Sequence, residues 1–72
     1  MEKIKLSENL RKIRKMRCIS QVELAERLNV SQAVVSMWEN GSALPTIERL
    51  VGMTEILQCS ADALLGLDGG EK

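Results

Sequence analysis

The sequence predicts an all-α fold, a compact domain of five short helices, on three observations. The chain has 72 residues, which allow one domain but leave no room for a second, catalytic one. Apolar residues make up 44% of it, yet one Trp is the only aromatic, so the core must be built from Leu, Ile, Val and Met, which favours helices. Apolar residues also recur at helical spacing in segments that begin just after a Ser or Thr. We expect a flexible arm over residues 1–6, the folded domain over residues 7–66 and a disordered tail over residues 67–72.

The first helix is predicted to follow Ser7, a good N-cap, and to run to about Met16. Leu10 and Ile13 have the spacing of residues that face a core, and Met16 or Arg17 would continue that stripe. The other faces of this helix are basic.

The second helix is predicted to begin at Gln21, because Ser20 and Glu23 have the S-x-x-E spacing of a capping box. Asn29 is well suited to the left-handed conformation that ends a helix and turns the chain. The expected buried stripe of this helix comprises Leu24, Ala25 and Leu28.

The third helix is predicted to follow the cap Ser31 and to cover residues 32–40. The turn between helices 2 and 3 is too short for two independent helices and has the length of a helix-turn-helix. Val35 and Trp38 are three residues apart, so we expect both in the core and interpret Trp38 as a core residue rather than a stacking platform. The opposite face carries Gln32, Ala33, Ser36, Met37 and Asn40.

Thr46 is expected to cap helix 4, and Ser60 a short helix 5 that ends at Gly66. Gly52, in the middle of helix 4, costs about 1 kcal/mol relative to Ala unless something packs closely there. The apolar stripe predicted for helix 4 comprises Ile47, Leu50, Met53, Thr54 and Leu57.

The outward face of helix 3 has no charge, yet it holds two amides, a hydroxyl, a methyl and a thioether, groups that suit the edges of DNA bases. An amide can bond adenine through two hydrogen bonds, a hydroxyl can donate or accept, and Ala or Met can contact a thymine methyl. An ordinary solvated face, the alternative, would more often carry Lys and Glu. Met37 has a second interpretation as a protein contact, because Met serves adaptable interfaces.

The formal net charge is zero, but the basic and acidic residues are unevenly distributed along the chain. Residues 1–20 carry a net charge of +5 and the remainder −5, which would let one face lie on phosphates. No uncharged run approaches the roughly 20 apolar residues of a membrane span, and no apolar block marks a signal peptide, so we expect a cytoplasmic protein.

The chain has two cysteines and no histidine, which limits the metal sites and catalytic groups it can form. Cys18 and Cys59 cannot complete a structural zinc site, so we expect no metal and interpret both as reduced thiols. A redox-sensing disulfide between them remains the alternative. Without His, a paired carboxylate constellation or a Gly-rich phosphate loop, neither an enzyme nor a cofactor is predicted.

A specific combination of residues runs through most of the domain: SQxxLAxxLxVS, followed by WENG and a Pro. With it, residues 10–66 resemble the phage-repressor and Cro type, or xenobiotic-response-element type, of helix-turn-helix domain, a lambda-repressor-like five-helix fold. The matching positions are Leu10, Ile13, Arg14, Ser20, Gln21, Leu24, Ala25, Leu28, Val30, Ser31, Val35, Trp38, Glu39, Asn40, Gly41, Pro45, Leu50, Leu57 and Asp62 to Gly66.

The resemblance implies roles for residues at matching positions. Gln21 would brace a DNA phosphate and support Gln32, which would read adenine, while Arg14 and Glu39 would form a structural ion pair. The Asn-Gly after helix 3 would present its backbone to phosphate. The base-reading set is then Gln32, Ala33, Ser36 and Met37, and the set for DNA backbone contact or bracing is Gln21, Ser31, Asn40, Gly41 and Ser42.

The chain departs from the family pattern in two places. Many relatives follow the Asn-Gly with Lys or Arg, whereas here the segment is Ser42-Ala43-Leu44, so we expect a shallow salt dependence of DNA binding. Frequent glycines are replaced by Cys18, Asn29 and Gln58, at a conformational cost.

The predicted function is therefore that of a sequence-specific double-stranded DNA-binding transcriptional regulator, a repressor, with helix 3 in the major groove. The expected partners are a DNA operator and a second copy of the chain, with no small-molecule ligand. Helix 5, through Leu64 and Leu67, and the adjacent loop would form the dimer interface. The alternative is a helical protein-interaction module such as an antitoxin or adaptor, which overall neutrality keeps open.

Overall fold

The computed structural model describes residues 5–67 as five α-helices, in agreement with the predicted fold class. The helices are α1 (Leu6–Met16), α2 (Gln21–Leu28), α3 (Gln32–Asn40), α4 (Ile47–Leu57) and α5 (Ala61–Leu65). α1 packs against α3 and α5, while α2 packs against α3 and α4. Residues 1–4 of the expected arm and residues 68–72 of the expected tail lie outside the described residues.

Four of the five helices begin at the predicted cap. In each, a side-chain hydroxyl accepts a hydrogen bond from the backbone N–H three residues later, which satisfies a donor that has no partner within the helix. The caps are Ser20, Ser31, Thr46 and Ser60. The capping box predicted for α2 forms only in half, because the carboxylate of Glu23 lies 3.0 Å from Nη2 of Arg27 instead of turning back to the cap.

The start of α1 differs from the prediction. The helix begins at Leu6, with Lys5 at the cap position and no side-chain cap, so Ser7 is not the N-cap. Leu6, which we assigned to the arm, is 3% exposed and belongs to the core. Burial of a Leu side chain stabilises by about 1.5–3 kcal/mol, more than the roughly 1 kcal/mol of a hydroxyl cap, so packing decides where the helix begins.

The core lies where all five helices meet. Its fully buried members are aliphatic, as the composition requires, and Trp38 is buried among them. The ten residues are Leu6, Leu10, Leu24, Ala25, Leu28, Val35, Trp38, Met53, Leu57 and Leu64. The predicted stripes of α2 and α3 are confirmed, whereas the stripe of α1 ends early because Met16 is exposed.

In α4 the predicted stripe is wrong at its first member, since Ile47 is 79% exposed. Successive steps of three residues each fall about 60° short of a full helical turn, so Ile47 lies about 120° around the helix from Met53. Farther along, a Cβ on Gly52 would lie 2.7 Å from Cδ2 of Leu28. The missing side chain at Gly52 therefore lets α2 and α4 approach closely.

None of the helices within residues 5–67 is long and apolar enough to cross a membrane.

Candidate nucleic-acid interface

The turn between α2 and α3 sets the direction of α3. Asn29 adopts the predicted left-handed conformation, with φ 61° and ψ 43°, and ends α2. The backbone N–H of Val30 then donates to the carbonyl of Ala25 at 3.0 Å, and Ser31 caps α3 by accepting from the N–H of Val34. Because every step of the turn is fixed by a hydrogen bond or a cap, the two helices are held as one unit.

α3 has one buried and one exposed side, as its sequence predicts. Val35, Trp38 and Glu39 are buried against the rest of the domain. On the opposite side, the predicted face consists of the exposed Gln32, Ala33, Met37 and Asn40 and the half-buried Ser36. This set, which we call the α3 face, contains no charged side chain and offers two amides, a hydroxyl, a methyl and a thioether.

Behind this face, Arg14 and Glu39 form a buried ion pair. Nε of Arg14 lies 2.6 Å from Oε2 of Glu39, and Nη2 lies 3.1 Å from Oε1, so the two planar groups meet through two hydrogen bonds. Nη1 of Arg14 donates to the carbonyl of Ile19 at 2.8 Å. Every guanidinium nitrogen of Arg14 thus has a partner, and the pair ties α1 to α3.

The carboxylate of Glu39 is held in its charged form. Burial by itself would raise the pKa of Glu39, but hydrogen bonds from Arg14 and Gln21 and the positive charges of Arg14 and Arg11 outweigh it, so the pKa lies below its ordinary value. Glu39 is therefore an anion at neutral pH that can only accept hydrogen bonds.

This anion fixes the orientation of two amides in succession. Nε2 of Gln21 donates to Oε1 of Glu39 at 3.0 Å, and Nε2 of Gln32 donates to Oε1 of Gln21 at 3.3 Å. Since a carboxylate only accepts, Gln21 must present its nitrogen to Glu39 and its oxygen to Gln32. Gln32 keeps its own Oε1 and one N–H for another molecule, the acceptor and donor that adenine matches.

The segment after α3 folds back on the last turn of the helix. Gly41 is left-handed at φ 85°, and its N–H, like those of Ser42 and Ala43, donates to the carbonyl of Met37. The N–H of Ser42 also donates to Oδ1 of Asn40 at 2.9 Å. These hydrogen bonds close the end of α3, and the presentation of this backbone to phosphate stays a prediction. The Ser42 hydroxyl donates to the same Met37 carbonyl at 3.5 Å, so the Asn40 amide nitrogen is the side-chain donor of this segment that remains available.

Two arginines, Arg11 in α1 and Arg17 just after it, have positions that the sequence did not predict. Arg11 is exposed, with Nε 3.8 Å from Oε1 of Glu39. Arg17 donates to the carbonyls of Leu57 and Gln58 at 2.7 and 3.0 Å, so it caps the end of α4. The only sequence signal for Arg11 was its place one helical turn before Arg14, on the basic side of α1.

Neither cysteine belongs to the α3 face. Cys18 is exposed and Cys59 is half-buried, and both are free thiols. Burial raises the pKa of the Cys59 thiol, although the charge of Arg17 opposes this. Within the described residues, no group of three His, Cys, Asp or Glu side chains could hold a metal ion.

Comparison with known proteins identifies the family. A family model described as Helix-turn-helix matches residues 10–64. The chain belongs to this helix-turn-helix family. Over 66 residues, this helix-turn-helix chain is 35% identical to the uncharacterized HTH-type transcriptional regulator YqaE of Bacillus subtilis, with 92% of this chain and 57% of that protein covered.

Two solved structures show how such a domain is used elsewhere. The P22 c2 repressor protein in complex with a synthetic operator is 34% identical, with a TM-score of 0.81, and 94% of this chain and 100% of that chain are covered. Hydroxypropylphosphonic acid epoxidase from S. wedmorenis is 28% identical, with a TM-score of 0.76, and 83% of this chain covers 32% of that enzyme. A domain of this fold therefore occurs both in a repressor and as one part of an enzyme.

The helix-turn-helix chain spans 28% to 57% of the length of the curated relatives it matches. It is thus comparable with their helix-turn-helix domains rather than with the whole proteins. The relatives named as regulators or repressors include the phage P22 repressor C2 and DicA of Escherichia coli, so the domain is of the phage-repressor type.

Proposed function

We propose that the chain is a sequence-specific double-stranded DNA-binding transcriptional repressor that inserts α3 into the major groove. The observation that carries this proposal is Gln32, an exposed amide braced by Gln21, which is itself held by the buried Glu39. A braced amide loses less freedom on binding and keeps one fixed acceptor and donor, which is what reading a base edge requires. The P22 relative solved with its operator supports the same use of the domain.

The residues proposed to contact bases are those that project from the α3 face: Gln32, Ala33, Ser36 and Met37. For the DNA backbone we propose Gln21, Ser31, Asn40, Gly41 and Ser42. Asn40 and Ser42 would act through their side chains, and Gly41, which has none, would let the phosphate approach closely. No catalytic role is proposed for any of them.

A protein-interaction module, such as an antitoxin or adaptor, is less well supported. The core of a protein interface is enriched in large apolar side chains, whereas the α3 face contains a single one, Met37, among polar groups. The hydrogen bonds from Gln21 to Glu39 and from Gln32 to Gln21 orient the Gln32 amide. An oriented amide suits recognition of the hydrogen-bond donors and acceptors on a base edge.

We further propose that two copies bind together, with their α3 helices in successive major grooves about 34 Å apart, and repress in the cytoplasm by occlusion. Leu64, which we expected at the dimer interface, is fully buried and is therefore wrong for that role. An open apolar groove of about 220 Å³ lies nearby, lined by Leu6, Leu44, Pro45, Leu50 and Leu65. We propose this groove as the surface for a second copy, because Ile47, which comes two residues after the groove residue Pro45, is exposed. The neighbouring Glu48 and Arg49 have opposite charges, which could pair across a two-fold axis.

Selection of bound sequences from a random duplex pool tests the DNA-binding proposal. We expect enrichment of a motif that includes an A·T pair, and loss of that pair's enrichment in the Gln32→Ala variant but not in Glu55→Ala, an exposed substitution on α4. Enrichment of no motif at any salt concentration would reject sequence-specific binding and leave the interaction module.

Native mass spectrometry on the enriched duplex tests the second copy. We expect two chains per duplex, and a shift toward one chain for Ile47→Asp, which changes an exposed side chain and should leave the fold intact. One chain per duplex for the parent protein would reject the homodimer without affecting the proposed DNA binding.

A further inference from the structure

Arg11 is directed toward the buried ion pair without taking part in its hydrogen bonds. Its Nε lies 3.8 Å from Oε1 of Glu39, too far for a hydrogen bond. Its side chain is 56% exposed, whereas that of Glu39 is 2% exposed. Within residues 5–67, the guanidinium of Arg11 donates no hydrogen bond, so its donors are available to another molecule.

The charge of Arg11 is not needed to neutralise Glu39. Arg14 already meets that carboxylate at 2.6 and 3.1 Å, and Gln21 supplies a further donor at 3.0 Å. Two guanidinium groups therefore face one carboxylate, which leaves a single positive charge in excess. That excess lies on the exposed member, Arg11, because Arg14 is buried.

The position of Arg11 relates this charge to the α3 face. Oxygen Oε1 of Glu39 is the nearest carboxylate atom to Arg11, and the same atom accepts from Gln21, whose other end holds Gln32. Arg11 thus stands at the edge of the surface that Gln21 and Gln32 present. An arginine there can donate two parallel hydrogen bonds to one phosphate, a geometry that Lys cannot reproduce.

We propose that Arg11 anchors a DNA phosphate at the Gln21 edge of the α3 face, an inference that rests on the proposed DNA binding. Attraction to Glu39 holds the guanidinium near the position it takes on DNA, which limits the freedom lost on binding. Its transfer to the phosphate leaves Glu39 paired with Arg14, so no buried charge is left without a partner.

The test is the salt dependence of binding to a fluorescein-labelled duplex of random sequence, measured by anisotropy between about 25 and 200 mM salt. Loss of one phosphate contact lowers the slope of log K against log salt by about 0.9. We expect this change for Arg11→Gln, with weaker binding at low salt. The matched control Lys12→Gln removes the same charge from the same helix and should change the slope by less than half as much. Arg11→Lys should keep the slope while binding less tightly.

The outcomes separate this inference from the function on which it rests. If the parent protein binds DNA but Arg11→Gln and Lys12→Gln change the slope equally, Arg11 contributes only general charge and the inference is wrong. If the parent protein binds no duplex at any salt, the proposed function fails and Arg11 loses its role with it. Thermal melts of the variants should agree with that of the parent, and a Tm lowered by Arg11→Gln alone would assign the residue to folding instead.

Discussion

The side-chain nitrogen of Gln21 lies 3.0 Å from Oε1 of Glu39, the carboxylate that also binds Arg14. This contact joins the structural ion pair to the α3 face, because the oxygen of Gln21 accepts from Gln32. One buried anion therefore both ties α1 to α3 and determines which atoms of Gln32 remain available.

Removing Glu39 alone should strongly destabilise the fold. The Glu39→Ala variant leaves the buried guanidinium of Arg14 without its partner, and breaking such a pair costs about 3–5 kcal/mol. Urea unfolding followed by circular dichroism measures the loss. Glu55→Ala, which removes an exposed carboxylate from α4, is the control and should change the free energy of unfolding by less than about 0.5 kcal/mol. A Glu39→Ala protein that unfolds with the parent would show that the pair contributes nothing to stability.

The stability of the domain should depend on pH through the same carboxylate. The pKa of Glu39 is lower in the folded protein than its ordinary value of 4.5, so the unfolded state binds the proton more tightly. The stabilisation from ionised Glu39 is therefore complete above the unfolded pKa and is lost as pH falls through the lower, folded pKa. Free energies of unfolding measured from pH 6 to pH 3 should fall less in Glu39→Gln than in the parent. Parallel curves would contradict the lowered pKa.

Gln32 and Gln21 should affect base discrimination in different ways. Gln32→Ala should lose about 1–3 kcal/mol of discrimination at one base step, because the two hydrogen bonds to the base disappear. Gln21→Ala should weaken discrimination at the same step by a smaller amount, since Gln32 remains but is no longer oriented. Competition binding with duplexes altered at single positions measures both. Equal weakening on every sequence by Gln32→Ala would instead make Gln32 a phosphate contact.

The sequence predicted those parts of the fold that local signals determine. The hydroxyl caps of α2 to α5 and the left-handed Asn29 depend on neighbouring residues, and each was found where its pattern indicated. The burial of Leu6 and the exposure of Ile47 depend instead on which helices lie opposite, which no local spacing contains. The position of Arg11 could not be predicted for the same reason, because Arg11 lies on α1 and Glu39 on α3.

Replacing Cys18 with Gly should stabilise the protein. Cys18 has φ 58°, a left-handed conformation that favours glycine, and its side chain is exposed, so little packing is lost. We expect a gain of about 0.5–1 kcal/mol, or a rise in Tm of roughly 2–8 °C for a domain of this size. Lys12→Gly, within α1, is the control and should destabilise by about 1 kcal/mol. A lower Tm for Cys18→Gly would mean that the thiol makes a stabilising contact.

DNA binding should show a shallow dependence on salt, because several basic side chains already have partners within the fold. Arg14 is bound by Glu39, Arg17 caps α4, and Arg27 pairs with Glu23 at 3.0 Å. Each phosphate neutralised contributes about −0.9 to the slope of log K against log salt, so the loss of these donors flattens it. Anisotropy titration of the parent protein measures this slope, and a value near about −10 would contradict the expectation.

A charge restored after α3 should reverse part of this effect. Ser42 stands where many relatives carry a basic residue, and its hydroxyl is exposed at the end of the α3 face. Ser42→Lys should make the slope steeper by about 0.9. Ala61→Lys adds the same charge at the exposed first residue of α5 and serves as the control. If the two variants steepen the slope equally, the segment after α3 does not lie against the DNA backbone, and the shallow slope has to be explained by the arginines that are paired within the fold.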